Sequence, residues 1–132
     1  MIGREVGVLV IDIDRFKTIN ERYGHEGGDL VLQMLVKFMS SSLRRCDKVF
    51  RYGGDEFAII LANPDCAEVE AVAQRIAGVI ASTPIVYSQG KVLCTVSIGK
   101  AKGYIVENGD LDSLIRVADN ELMTIKNLRN PK

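Results

Sequence analysis

The stretch Arg51-Tyr52-Gly53-Gly54-Asp55-Glu56-Phe57 decides how the middle of the chain folds. Apolar, β-prone residues flank it, which predicts two strands, over residues 48–52 and 57–61, with the glycines in a hairpin turn. Glycine adopts positive φ without strain, and this suits a tight turn. Two carboxylates on such a turn repel each other and add nothing to a core. The arrangement is typical of a cation site, most often Mg²⁺ carrying phosphates, but an acidic solvated turn explains it equally well.

Hydrophobic patterns predict the remaining elements around this hairpin. Residues 6–11 form a near-continuous apolar run, which predicts a strand buried on both faces. Helical spacing predicts helices over residues 16–23 and 30–43, a third helix capped by Asp65, and a last helix from Asp110 or Asp112. Two further strands are predicted over 84–87 and 92–98, the second closed by Gly99, before an irregular segment over 103–109. The order βααββαββα predicts an α/β domain of the α+β type in two layers, with a mixed or mostly antiparallel sheet flanked by helices.

Composition favours a single soluble domain. The chain has 132 residues, 47% of them hydrophobic and 26% charged, with a net charge of zero, so nothing indicates a nucleic-acid partner or an anionic membrane surface. No apolar run approaches the ~18–20 residues needed for membrane insertion. Arg4 and Glu5 follow Met1 too closely for a signal peptide. We therefore expect a cytoplasmic protein, or a cytoplasmic domain of a larger, membrane-anchored one.

The cysteines and the single histidine exclude two kinds of site. Cys46, Cys66 and Cys94 have neither zinc-ligand spacing nor the even number of a disulfide framework, so buried free thiols in a reducing compartment are expected. His25 alone does not build a histidine-rich metal site.

Acidic residues also follow the first predicted strand. If the hairpin lies beside that strand, Asp12 and Asp55 converge at one edge of the sheet. Two carboxylates at such an edge are a common way to hold Mg²⁺ for nucleotidyl transfer. The segment Arg15-Phe16-Lys17 begins a helix there, and helix-start N–H groups and a lysine favour phosphate. Asp14 is interpreted as the N-cap of this helix rather than as a metal ligand.

Two polar residues suit a guanine base. Asn20 lies one turn into the first helix and Asp29 at the start of the second, so that an amide and a carboxylate face each other across the intervening turn. The alternative is that Asp29 caps the second helix and Asn20 is a polar surface residue. The residues alone favour that alternative.

Three blocks of the chain together are similar to the GGDEF family, the catalytic domain of bacterial diguanylate cyclases. They are residues 12–17 with Asn20, then Gly24-His25 with Gly28-Asp29, and then residues 51–57. A fourth, weaker match is Thr95-Val96-Ser97-Ile98-Gly99. The resemblance extends over nearly the whole chain, and the order and spacing of the first three blocks are specific.

The resemblance implies a palm-like fold related to nucleotidyl cyclases, and a reaction. Two GTP molecules, each held by one of two facing domains, condense to cyclic di-GMP and two pyrophosphates, so a homodimer with Mg²⁺ or Mn²⁺ is implied. Asp12, Asp55 and the carbonyl of Ile13 would ligate the metal. Glu56 would assist the metal site or help to deprotonate the attacking 3′-hydroxyl.

The resemblance also implies a substrate site and an inhibitory product site. Gly53 and Gly54 would let the backbone approach the triphosphate, Phe16, Lys17 and Lys126 would contact phosphates, and Asn20 and Asp29 would read guanine. Arg129 is a weaker phosphate assignment, because it is out of register. Arg44 and Asp47 fit the family's RxxD product-binding pattern, and Arg75 falls where a second arginine of that site is usual. The alternative for the RxxD pattern is a solvated helix end.

The chain departs from the family pattern at both ends. The helix that usually precedes the first strand is absent, so residues 1–132 are expected to be one domain of a longer protein that also carries a sensor domain. Glu121, Met123 and Ile125 replace the usual Ala, Tyr and Ala, and no glycine precedes Arg129. These departures leave open a module that binds GTP or cyclic di-GMP without turnover. A structural dimerisation domain is disfavoured by the intact acidic residues.

Overall fold

A computed structural model describes residues 3–129, without the side chains of Cys66 and Arg129. The elements follow in the order β1 (Arg4–Ile13), α1 (Phe16–Ser41), β2 (Lys48–Arg51), β3 (Glu56–Ala62), α2 (Cys66–Ser82), β4 (Ile85–Tyr87), β5 (Gly90–Val92), β6 (Val96–Ile105) and α3 (Asp110–Arg129). The predicted α/β class, with an antiparallel sheet flanked by helices, is confirmed.

The main sheet has the strand order β2-β3-β1-β6, and each neighbouring pair is antiparallel. A separate two-stranded sheet joins β4 to β5. Strand β1 is central, so it has a hydrogen-bonded strand on each side, and residues 8–11 are fully buried. The prediction that the first strand is buried on both faces is therefore confirmed.

Helices cover both faces of the sheet. Leu9, Ile11 and Ile13 pack in the core formed with α1 and α2, while Val8 and Val10 pack with α3. The sheet is thus the middle of three layers, and α3 adds one layer to the two that the sequence predicted. The reason lies in β1, whose apolar residues occupy odd and even positions and need cover on both sides.

The hairpin between β2 and β3 is confirmed, but the predicted reason for its glycines is wrong. Among the described residues, positive φ occurs at Arg15, Gly24, Asn63, Gly90 and Gly109, and not at Gly53 or Gly54. A Cβ built on Gly54 would meet no atom within 4 Å. The turn therefore does not require glycine for its conformation, and the glycines leave open space above its backbone.

The predicted strand over 92–98 is two strands. Strand β5 ends at Val92 and pairs with β4, whereas β6 begins at Val96, pairs with β1 and continues through Gly99 to Ile105. Residues 103–105 are consequently not irregular. A Cβ on Gly99 would overlap the backbone of α3 at Ala118. This glycine allows α3 to approach the strand closely instead of ending the strand.

The first two predicted helices form one kinked helix. Within α1 the chain departs from helical geometry at Gly24, where φ is 74° and ψ is 175°. Asp29 lies inside α1, so the alternative that it caps a second helix is wrong. Asp65 does cap α2, because its side chain accepts from the N–H of Glu68 at 2.8 Å. The last helix begins at Asp110, as predicted.

The two cysteines with described side chains differ in their exposure to solvent. Cys94 is buried, but Cys46 is exposed, which contradicts the expectation that the free thiols are all buried. Within residues 3–129 we find no helix that combines the length and the hydropathy of a membrane span.

Candidate functional site

The end of β1 and the β2–β3 turn meet at one edge of the sheet. Asp12 lies opposite Glu56 in the β1–β3 register, and the N–H of Ile13 donates to the carbonyl of Asp55 at 3.3 Å. Because directly opposite residues project from the same face, the side chains of Asp12 and Glu56 share the face covered by α3. The sequence-predicted approach of Asp12 and Asp55 is therefore present.

Asp12 lies in an environment that disfavours its charge. Its side chain is 15% exposed, its Oδ2 pairs with the Nζ of Lys126, and its buried Oδ1 has no hydrogen-bond partner among the described residues. Burial raises the pKa of Asp12 to about 6, Lys126 opposes this shift, and the neighbouring Asp55 adds to it. An orphaned carboxylate oxygen of this kind is a position where a cation would be favourable.

Glu56 is a third acid beside Asp12 and Asp55, and these three residues are called the acidic cluster below. Burial raises its pKa, Asp119 and Asp55 raise it further, and Lys126 lowers it. The sequence interpretation assigned no role to Asp119. Helical spacing could have indicated its position. Asp119 and Lys126 lie three residues before and four residues after the buried Leu122, and therefore on the same face of α3.

The residues at this edge fit a magnesium ion that is shared with a ligand. Carboxylate and carbonyl oxygens are the ligands that Mg²⁺ prefers, and Mg²⁺ in nucleotide sites is held by one or two carboxylates plus phosphates. Asp12 and Asp55 supply two carboxylates. No three Asp, Glu, His or Cys side chains among residues 3–129 are close enough to form a metal cluster by themselves. The remaining ligands would therefore come from backbone, phosphate and water.

Asp14 has a contact that differs from the predicted helix cap. Its Oδ2 accepts from the hydroxyl of Thr95 at 2.6 Å, its Oδ1 accepts from the hydroxyl of Ser97 at 2.7 Å, and its N–H donates to the carbonyl of Thr95 at 2.9 Å. The N-cap position of α1 is instead Arg15, whose side chain makes no cap hydrogen bond. The N-cap interpretation of Asp14 is wrong, because both of its carboxylate oxygens accept from hydroxyls of Thr95 and Ser97 instead of from the first turn of α1. Thr95 and Ser97 belong to the fourth sequence block.

The two halves of the kinked helix α1 bring the predicted guanine-reading residues near each other. The Oδ1 of Asn20 occupies the place where a Cβ on Gly28 would lie, and the ring of Phe16 approaches the same point to 3.5 Å. Asp29 follows Gly28 and is exposed. Lys17 is exposed in the first turn of α1. Phe16 is half-buried against the core, and its ring lies beside Gly28 and Asn20.

The acidic turn is held by an arginine that the sequence interpretation did not single out. The Nε of Arg51 donates to the carbonyl of Gly53 at 3.1 Å, and its Nη2 donates to the carbonyl of Gly54. The N–H groups of Tyr52 and Gly53 donate to the carbonyl of Glu56 at 2.9 and 3.3 Å. The position of Arg51 as the first residue of the block 51–57 is the sequence feature that could have identified it.

A cavity of about 690 Å³ lies between the first turns of α1 and the segment before β6. Its lining includes Arg15, Arg22, Leu93, Thr95 and Lys126. Lys126 thus borders both the acidic cluster and the cavity. No sequence pattern indicated this cavity.

The three residues predicted for a product site lie together away from the acidic cluster. Arg44, Asp47 and Arg75 line a cavity of about 220 Å³, together with Glu68. Arg44 also pairs with Glu68, at 3.6 Å, and donates to the carbonyl of Ala62 at 2.6 Å. The guanidinium of Arg75 donates to the carbonyl of Ser42 at 3.0 Å.

Asp47 is a buried structural acid in this cluster. Its side chain is 3% exposed and accepts from the Nε and Nη2 of Arg44 at 3.2 and 3.1 Å and from the N–H of Ala62 at 3.0 Å. Burial alone would raise the pKa of Asp47, but these hydrogen bonds outweigh burial and lower it. Asp47 therefore fixes the orientation of Arg44 and ties the end of β3 to the segment that follows α1.

Comparison with known proteins agrees with this architecture. The family model described as the diguanylate cyclase GGDEF domain matches residues 2–131, and the chain belongs to this family. It is 39% identical over 121 residues to Diguanylate cyclase A of Treponema denticola, covering 92% of this chain and 32% of that protein. It is 37% identical over 127 residues to the Diguanylate cyclase DosC of Escherichia coli, covering 94% of this chain and 27% of that protein. The chain thus spans about a third or less of these relatives.

Solved structures have the same fold. The crystal structure of the GGDEF domain of YfiN from Pseudomonas aeruginosa matches with a TM-score of 0.85 at 35% identity, covering 95% of this chain and 78% of that one. The crystal structure of the GGDEF domain of DgcB from Caulobacter crescentus, in complex with c-di-GMP, matches with a TM-score of 0.84 at 28% identity, covering 93% and 72% of the two chains.

Proposed function

We propose that this domain is a diguanylate cyclase that condenses two GTP molecules into cyclic di-GMP and releases pyrophosphate. The observation that carries the proposal is the meeting of Asp12 and Asp55 at the end of β1, where the buried Oδ1 of Asp12 has no hydrogen-bond partner among the described residues. Family membership and relatives named as diguanylate cyclases support the same reaction.

Asp12, Asp55 and the carbonyl of Ile13 would hold Mg²⁺, or Mn²⁺ in its place. The bound ion would neutralise charge on the triphosphate and lower the pKa of the attacking hydroxyl. Lys126 supplies a positive charge beside Asp12. When the metal and GTP are bound, the side chain of Lys126 would turn to the triphosphate.

The remaining substrate contacts follow from the geometry of the turn and of α1. The open space above Gly54 would accept the triphosphate close to the backbone, which any side chain at that position would hinder. Lys17, exposed in the first turn of α1, would bind phosphate. Asn20 and Asp29 would read the guanine edge by accepting from its N–H groups and donating to O6.

Glu56 is suited to the proton transfer of this reaction. Its raised pKa makes it a stronger base than an ordinary carboxylate, and it lies directly across the sheet from Asp12. We assign it to deprotonation of the attacking 3′-hydroxyl, or to support of the metal site.

A homodimer is part of the proposed mechanism. Among the described residues we assign one metal-binding pair, Asp12 with Asp55, and one guanine-reading pair, Asn20 with Asp29, so one domain would orient one nucleotide. The second GTP would be supplied by a second copy facing the first, which converts the encounter of two nucleotides into a positioned reaction.

Feedback by the product is proposed at the second cluster. Arg44 and Arg75 border one cavity, and arginine forks suit the phosphates of cyclic di-GMP. A module that binds GTP or cyclic di-GMP without turnover is the second candidate, and the same cavity favours it. We further propose that the domain works in the cytoplasm, joined to a sensor domain in its full-length protein.

The experiment is product analysis with nucleotide-free protein at high concentration. With GTP and Mg²⁺ we expect cyclic di-GMP and pyrophosphate by chromatography, and we expect both to disappear in Asp55→Ala and Glu56→Ala. The exposed Glu21→Gln is the matched control and keeps activity. A normally active Glu56→Ala protein would refute the catalytic assignment. No product, with GTP or cyclic di-GMP still bound, would favour the binding module.

A further inference from the structure

We propose that Asp14 is a positioning residue for the metal site: its contacts with Thr95 and Ser97 fix the junction between β1 and α1. This junction sets the positions of Asp12 and Ile13 at the end of the strand. The inference rests on the proposed function. It also gives a role to the fourth sequence block, which the substrate and metal assignments leave unused.

Three hydrogen bonds form the junction, which we call the Asp14 latch. The two hydroxyls of Thr95 and Ser97 donate to the two oxygens of one carboxylate, at 2.6 and 2.7 Å, and a backbone bond of 2.9 Å joins Asp14 to Thr95. Ser97 is 2% exposed, so its hydroxyl is held inside the protein. Charge-assisted bonds of this length are among the stronger ones in proteins.

The chain needs such a restraint at this point. Between the last residue of β1 and the first of α1 there are only two residues, Asp14 and Arg15. Arg15 has φ 56° and ψ 39°, the left-handed region, which is unfavourable by about 1–2 kcal/mol for a residue other than glycine. A backbone in that conformation persists only where its surroundings determine it. The hydrogen bonds of the Asp14 latch with Thr95 and Ser97 hold the backbone in this conformation.

The latch requires a carboxylate. Each oxygen of Asp14 accepts one hydroxyl, whereas an asparagine offers one oxygen and a donor NH₂ group that does not replace the second. Asp12 lies two residues before Asp14 on the same face, and Ser97 pairs directly with Asp12 in the β1–β6 register. Loss of the latch would therefore loosen the carboxylate and carbonyl that are proposed to hold the metal. Partners that orient metal ligands typically change metal affinity by about 10–100-fold.

The test removes the hydroxyls and leaves Asp14 in place. The double variant Thr95→Val with Ser97→Ala is compared with Thr95→Ser, which keeps a hydroxyl, and with Asp14→Asn. Thr18→Val is the matched control, because Thr18 lines the same cavity but is exposed on α1. The measurements are amide hydrogen exchange of residues 12–16 in the metal-free domain, Mn²⁺ binding by calorimetry in the presence of a non-hydrolysable GTP analogue, and cyclase kinetics.

We expect the double variant to exchange the amides of residues 12–16 roughly tenfold faster than wild type, while the core of α2 is unchanged. We expect Mn²⁺ affinity and kcat to fall about tenfold or more, with the KM for GTP within about threefold of wild type. Thr95→Ser and Thr18→Val should behave as wild type, and Asp14→Asn should fall between.

Unchanged exchange and unchanged Mn²⁺ affinity in the double variant would overturn the latch, even if its thermal stability fell. Exchange and Mn²⁺ affinity that respond as expected in a domain that makes no cyclic di-GMP would uphold the latch and reject the cyclase. A domain that binds no Mn²⁺ would leave the decision to hydrogen exchange, where equal rates in wild type and double variant reject the proposal.

Discussion

Replacing Asp12 by asparagine should make the metal-free protein more stable and inactive at the same time. Asp12 is 15% exposed, one of its oxygens has no hydrogen-bond partner among the described residues, and its pKa is raised to about 6. The fold therefore disfavours the charge that the proposed metal requires. An asparagine has nearly the same shape and no charge.

The magnitude follows from the pKa. One pKa unit corresponds to about 1.4 kcal/mol, so a change from 3.8 to about 6 corresponds to roughly 3 kcal/mol against the charged folded state at neutral pH. Lys126 loses its carboxylate partner in the variant, although it is 28% exposed and is readily hydrated. We expect Asp12→Asn to raise the free energy of unfolding by about 1–3 kcal/mol at pH 7.5.

The pH dependence has a definite sign. Because the folded-state pKa of Asp12 lies above the unfolded-state value, wild type gains stability from this residue at low pH and loses it as the pH rises through about 6. The advantage of Asp12→Asn is therefore full above pH 6 and falls to roughly a third of its value at pH 4.5.

The assay is urea unfolding in EDTA at pH 7.5 and pH 4.5, with Glu21→Gln as a control that removes an exposed charge. A second series with Mg²⁺ and a GTP analogue should stabilise wild type and not Asp12→Asn. If Asp12→Asn is less stable than wild type in EDTA at pH 7.5, the inferred burial of an unfavourable charge is incorrect.

Three further outcomes are expected. Gly28→Ala should raise the KM for GTP about tenfold by displacing the side-chain amide of Asn20, without loss of stability by urea unfolding, since alanine favours a helix. An unchanged KM would contradict the role of Asn20 in reading guanine. Arg44→Ala should leave turnover intact and weaken cyclic di-GMP binding at least about tenfold by calorimetry, and product affinity equal to wild type would remove the product site. Asp47→Asn should lower the free energy of unfolding by roughly 2 kcal/mol. At pH 8 iodoacetamide should alkylate exposed Cys46 and spare Cys94. Burial raises the pKa of the Cys94 thiol to about 11, which leaves roughly one molecule in a thousand as thiolate. Equal labelling rates of the two cysteines by mass spectrometry would argue against the burial of Cys94.

Local patterns were sufficient for the parts of the fold that depend on neighbouring residues. The apolar run of β1 predicted a strand buried on both faces, and Gly53 and Gly54 between two apolar, β-prone runs predicted a hairpin. The approach of Asp12 and Asp55 follows from these two predictions as soon as the hairpin pairs with β1. The spacing of Asp65 and Glu68 likewise located the start of α2.

Packing between distant elements could not be read in this way. Gly99 resembles a strand end, but it allows α3 to approach β6, and only the packed helix shows this. Which face of the sheet α3 covers was likewise not encoded in its own spacing. The contact of Lys126 with Asp12 and the proximity of Asp119 to Glu56 both depend on that face.

Asp14 illustrates a competition between local and distant partners. An aspartate before a helix normally caps it, and the sequence interpretation followed that preference. Here the hydroxyls of Thr95, just before β6, and of Ser97, on β6, donate to the two carboxylate oxygens, and the N-cap position of α1 is Arg15, which makes no side-chain cap hydrogen bond. The competing partner lies more than 80 residues away in the sequence, which no helix-start pattern includes.

The most direct measurement of the central claim is anomalous diffraction from crystals of the domain grown with Mn²⁺ and a non-hydrolysable GTP analogue. We expect one or two manganese peaks bounded by the carboxylates of Asp12 and Asp55 and by phosphate oxygens, with Lys126 turned from Asp12 to the triphosphate. The guanine should lie against Asn20. A bound nucleotide with manganese elsewhere, and with Lys126 still paired to Asp12, would contradict the proposed metal site at Asp12 and Asp55.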